Sequence, residues 1–132
     1  TASSVTSLGS TPPLVSLNIA QGASSYQHIR PGKLMAIHTL DADNLALAEK
    51  LAGSKESRFV DKDFRVGPEG IPVFFNASSV LLVRVVNKIE VEANALVVLS
   101  AESAHETRSS KEPLIYFQRG YHTLGPRLKD NF

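Results

Sequence analysis

The chain contains no cysteine and no tryptophan. Without thiols there is no disulfide, no thiolate metal site and no cysteine nucleophile. Without tryptophan, a sugar-stacking surface is hard to build. No apolar run reaches the roughly 18 residues of a membrane span. Thr1 is not followed by a charged-then-apolar leader, so no signal peptide is expected. Charge is absent from one whole region: Thr1 to Ile29 carry no Asp, Glu, Lys or Arg, although the chain has 14 basic and 13 acidic residues. Ser and Thr are frequent there, and Pro12-Pro13 breaks the run. Such a stretch buries too little apolar surface to offset the entropy of ordering it. Residues 1–13 therefore read as an extended arm, ordered only against something else, such as a neighbouring subunit.

Apolar residues make up 42% and charged ones 20% of the 132 residues, which is ordinary globular usage and enough for one core. The net charge of +1 gives no long-range field toward nucleic acid or an anionic membrane. A β-rich body is expected over 14–132. Leu14 to Ile19 suits a short strand, and Pro31-Gly32 starts another running to Leu40. Asp41 to Gly53 predicts the one helix, capped by Asp41 or Asp43, with Leu45, Ala48, Leu51 and Ala52 on one face and Gly53 as its stop. Residues 57–66 predict a strand broken by a charged turn, and Gly67-Pro-Glu-Gly70 is a turn before extended Pro72 to Phe75. Val80 to Val86, then Ile89 to Glu92 and Leu96 to Leu99, carry the strongest β signal, with Asn94-Ala95 as the turn. Ser100 to Glu112 reads as a polar loop, Leu114 to Tyr121 as a last strand, and His122 to Phe132 as a docked tail. These short strands with a single helix predict a mainly β fold: an antiparallel β-sandwich, jelly-roll-like, with an extended N-terminal arm.

Chemistry-bearing patterns are sparse. No Gly-rich phosphate loop occurs, and the four histidines, His28, His38, His105 and His122, lack the close pairing of zinc ligands. His105-Glu106 offers an acid–base pair to a distant serine, and a small enzyme using His105 or His122 is one reading. Solvated or core histidines are the plainer one. Asp61-Lys-Asp63, like Asp41-Ala-Asp43, offers hard carboxylate oxygens to a cation such as calcium. Capping explains Asp41 and Asp43 equally, and solvation explains Asp61 and Asp63. Asn76-Ala-Ser78 is a formal glycosylation sequon. Tyr116, Phe117, Tyr121 and Phe74-Phe75 read as core aromatics rather than a base-stacking surface, because only Arg84 and Arg119 lie near them in sequence.

Ile19-Ala-Gln21-Gly22 and Gln27-His-Ile-Arg30-Pro-Gly32, behind a polar arm, resemble the lead-in to the first strand of single jelly-roll capsid subunits of small icosahedral, satellite-type viruses. The resemblance implies a non-enzymatic structural protein of the virion, self-assembling into a capsid or decorating a shell. Its partners would be copies of itself and other shell proteins. Gln21, Gly22, Arg30 and Lys33 would face subunit contacts or packaged nucleic acid. Asp61 and Asp63 would be the place for calcium, the one cofactor entertained. Outside a virion the chain is expected in the cytoplasm. The alternative is a β-sandwich module that binds a small ligand or carbohydrate.

Overall fold

The computed structural model describes residues 1–2, 4–106 and 112–130 of the chain. Its longest elements arise where the sequence alternates most cleanly. In β6 (Ser79–Val91) and β7 (Asn94–Glu106), Val85, Ala95, Val97 and Leu99 are buried between exposed or half-buried neighbours, and Leu82 and Val83 are buried side by side at a bulge. Period-2 alternation of this kind places one set of side chains on one face. The two strands form one long antiparallel hairpin that turns at Glu92 and Ala93, with Glu92 in the left-handed region (φ 51°). The turn thus falls just before the predicted Asn94-Ala95, and the segments Val80 to Val86 and Ile89 to Glu92 run on as one strand with a bulge between Val85 and Asn87. β7 also continues to Glu106 through part of the expected polar loop, whose residues 107–111 lie outside the described ones.

β2 (Pro13–Ala20) pairs with β7, β1 (Thr6–Ser10) pairs with β2, and β3 (Leu34–Thr39) pairs with β6. The five-stranded sheet therefore runs β1-β2-β7-β6-β3, antiparallel throughout. β1 lies inside the stretch read as an arm. What orders it is backbone pairing to β2, plus a hydrogen bond from the Asn18 N–H to Ser4 Oγ (3.0 Å), rather than apolar burial. Its side chains are all exposed.

Two faces of β6 are packed. Val83 and Val85 join Leu17, Ile29, Val97 and Leu99 in the main core, with Met35, Ile37 and Leu81 at its margin. Val80 and Leu82 point the other way and pack with Val73, Ala36 and Ile71. This second face is covered by the hairpin of β4 (Phe64–Val66) and β5 (Pro72–Phe74). Arg84, on the same face, donates to both Glu69 carboxylate oxygens (3.2 and 2.6 Å), to Glu102 and to the Gly32 carbonyl. Those charge-assisted bonds hold the Glu69 carboxyl below the usual carboxylate range and push the Arg84 guanidinium up.

The predicted helix is a single 310 turn, Ala42–Asn44, leading into α1 (Leu45–Ala52). Asp41 Oδ1 accepts from the Asp43 N–H, and Asn44 Oδ1 accepts from the Asp41 N–H, so the turn is capped from both sides. Asn44, Leu47 and Ala48 form the buried face; Leu45, expected inward, is exposed. The last predicted strand is a separate small hairpin, β8 (Ile115–Phe117) and β9 (Gly120–His122), turning at Gln118 and Arg119, both with positive φ. The tail is not docked among the described residues: Leu128 is 96% exposed. Phe132 lies outside them. Among the described residues the fold is mainly β and antiparallel with one short α-helix, in one five-stranded sheet and two two-stranded hairpins.

Candidate functional site

Three strand ends meet at one end of the sheet. Thr39 closes β3, Ser79 opens β6, and His105 and Glu106 close β7, in a row fixed by the pairings Thr39↔Ser79↔Glu106 and His38↔Val80↔His105. Between them opens a cleft lined by the apolar Leu81 and Ala104 and by the polar Thr39, Ser78, Ser79, His105 and Glu106. Ser78 is fixed there by two bonds to one acceptor, its N–H (2.9 Å) and its Oγ–H (2.8 Å) both donating to the Thr39 carbonyl. Asn44 reaches across from the helix cap and donates from Nδ2 to the Asn76 carbonyl (2.8 Å), pinning the turn that delivers Ser78.

The segment leading into the β8–β9 hairpin is tethered to the residues that follow Thr39. The Ala42 N–H donates to the Glu112 carbonyl and the Leu114 N–H to the Leu40 carbonyl, so residues 112–114 run along the segment just after Thr39. The hairpin carries Tyr116 and Phe117, 62% and 59% exposed. Tyr116 packs against Tyr121 (centroids 5.1 Å apart) and Phe117 against His122 (6.2 Å). The exposed rings of the hairpin, and separately the mixed apolar and polar lining of the cleft, each suit a planar heterocycle with polar edge atoms.

The residues singled out from the sequence fall elsewhere and apart. Gln21 Nε2 donates to the Glu92 and Asn94 carbonyls (2.8 and 2.9 Å), tying its turn to the β6–β7 turn, and Gly22 stands in open space. Arg30 and Lys33 are exposed on a turn in which the Lys33 N–H donates to the Arg30 carbonyl. Asp63 and Asp61 both pair with Lys50, whose ammonium supplies the positive charge that calcium was expected to bring. Among the described residues no three metal-ligating side chains come together. His105 does reach the cleft. Ser78, noticed only within a sequon, and Thr39 were missed, and Tyr116 and Phe117 were misread as core. Their one sequence signal was the aromatic spacing of Tyr116, Phe117 and Tyr121.

Comparison with known proteins decides the family. The model of the flavin reductase like domain matches residues 1–125. The chain belongs to this family. It is 32% identical over 130 residues to an NADH:FMN oxidoreductase of Rhodococcus qingshengii, covering 96% of this chain and 68% of that protein. It is 28% identical over 127 residues to an NADH:riboflavin 5'-phosphate oxidoreductase of Streptomyces pristinaespiralis, covering 96% and 72%. The crystal structure of a flavin reductase domain protein from Arthrobacter sp. FB24 superposes with a TM-score of 0.90 at 28% identity, over 99% of this chain and 80% of that one.

These findings overturn the capsid reading, and with it the virion placement, the shell partners and the non-enzymatic role. The Gln21-Gly22 turn closes β2 and the Arg30-Pro31-Gly32 turn leads into β3, and such turn residues are common to many β folds. The absence of an expected cofactor other than calcium is corrected too: the relatives' names carry a flavin and a nicotinamide dinucleotide.

Proposed function

We propose that this chain is a flavin reductase, passing a hydride from a reduced nicotinamide dinucleotide to a flavin. The family match along residues 1–125 carries the reading, and the cleft and the exposed rings of the aromatic hairpin support it. The two rings supply the redox chemistry themselves: the hydride leaves the dihydronicotinamide, and one solvent proton completes the dihydroflavin. What the chain must do is bind, orient and keep water away.

The cleft's donor set fits the tricyclic ring. Leu81 and Ala104 offer apolar surface, Thr39, Ser79 and His105 offer hydrogen bonds to polar edge atoms, Glu106 offers a carboxylate, and Ser78, both donors spent on the Thr39 carbonyl, offers an acceptor oxygen. Among the described residues that line the cleft there is no Lys or Arg. For the finer architecture, the likeness to flavin reductase domains favours a barrel-like curl of the five-stranded sheet over a jelly-roll-like sandwich.

The test is steady-state oxidation of NADH by the purified chain with FMN, FAD or riboflavin as acceptor. Oxidation that requires both protein and flavin, and that falls at least tenfold in Thr39→Val with His105→Ala, is expected. Oxidation no faster than in protein-free controls with all three flavins would refute the reading.

A further inference from the structure

The β4–β5 hairpin is held on the sheet by the Arg84–Glu69 ion pair at its turn, by the packing of Val73 and Ile71, and by a His38 acceptor at its β5 end. Inside β5, the Phe74 N–H donates to His38 Nε2 at 3.0 Å, and the His38 ring meets the Phe74 ring edge-on with centroids 5.5 Å apart. Phe74 is 4% exposed and Val80, opposite His38, is 3% exposed, so water has little room to replace either partner. Nε2 can accept only while it carries no proton; the imidazolium has donors on both nitrogens and no acceptor.

We propose that His38 is a pH-sensitive latch, holding the β5 end of the β4–β5 hairpin on β3 when neutral and releasing that end when protonated. The next contact along the chain is the Thr39 carbonyl, which takes both Ser78 donors at the cleft rim. Opening the latch therefore loosens the wall that Thr39 and Ser78 form. The proposal stands on the hydrogen bond and the packing, and is independent of the reductase reading.

Among the described residues Arg84 of β6 is engaged with Glu69 of the β4–β5 turn, and no charged group of the packed elements bonds the His38 ring. From α1, Lys50 lies over the Phe74 ring at 5.6 Å, itself held by Asp63 and Asp61. On β4, Arg65 is paired opposite Val73, one residue off the Phe74 row. On the sheet, the row through His38 continues to Val80 and then His105. Burial lowers the His38 pKa from its ordinary 6.5, against a smaller opposing pull from a hydrogen bond with the Ala36 backbone. Neutral His38 is thus the resident form near neutrality, and acid is the trigger.

The test is residue-resolved amide exchange on the full chain from about pH 8 down to about pH 5, corrected for intrinsic rates. The Phe74 amide should lose roughly tenfold or more of its protection over that range, while the Val83 and Leu99 amides, deep in the main core, keep theirs. In His38→Gln, whose side-chain carbonyl accepts at any pH, the Phe74 protection should be flat. Phe74 protection that tracks Val83 and Leu99 in the wild-type chain overturns the latch, whether or not the variant folds. So does a His38→Gln chain with the wild-type pH dependence.

Discussion

At the scale of single residues, the clearest test of the site's scaffolding is Asn44. It is 3% exposed, caps the Asp41 N–H and anchors the Asn76 carbonyl, so two segments depend on one amide. Asn44→Ala should destabilise the chain by about 1–2 kcal/mol, from a lost cap and a lost part-buried hydrogen bond. A urea midpoint unchanged from the wild type would contradict this. His38 gives a second prediction with a definite sign. Its pKa is depressed on folding, so below 6.5 the unfolded chain takes up the proton first. Stability should then fall as pH drops through that value, and flatten below the folded pKa. His38→Gln should remove that part of the slope in denaturant titrations at several pH values. The capping role of Asp41 was legible from its place before an apolar period. The anchoring role of Asn44 was not, because Asn76 lies 32 positions away and no local pattern announces it.

At the scale of elements, the alternation of β6 and β7 and the Gly67–Gly70 turn are readable because each is dictated by neighbours in the chain. The small hairpins are less so. Gly67 shows how tightly β4 and β5 close: a Cβ there would stand 2.8 Å from Val73 Cγ2 and 3.2 Å from the Ile71 carbonyl. Gly67→Ala should cost about 1–3 kcal/mol through overpacking. Thermal unfolding that is unaltered in this variant would show that the turn yields freely. The β8–β9 hairpin carries the opposite kind of prediction. Tyr116 and Phe117 are exposed, so Tyr116→Ser with Phe117→Ser should leave the melting temperature nearly unchanged while raising the KM for flavin or NADH severalfold. A large loss of stability with unchanged KM would return them to the structural role first read for them. Sequence favoured that role because aromatic residues are usually core, and only the tether of residues 112–114 to 40–42 shows where the segment leading into the hairpin is held.

At the scale of the whole molecule, the mainly antiparallel architecture could be read from strand and turn signals, whereas the strand order could not. β2 reaches past four intervening strands to pair with β7, and no local propensity encodes that choice. Function was hidden for a related reason. The cleft draws Thr39, Ser78 and His105 from three separate strand ends, so no motif spacing exists to be found. In a reaction whose electrons move between two bound rings, the protein needs no nucleophile–base pair, and its sequence therefore lacks the signature sought in a catalytic reading. The capsid resemblance filled that silence with turn residues that many β folds share. Hydride transfer to a flavin on this chain underlies the proposed function. It is tested most directly by mixing NADH and FMN anaerobically with catalytic amounts of the protein and following both chromophores together. The account predicts flavin bleaching matched one-for-one by NADH oxidation, at a rate proportional to protein concentration. A rate independent of the protein would contradict it.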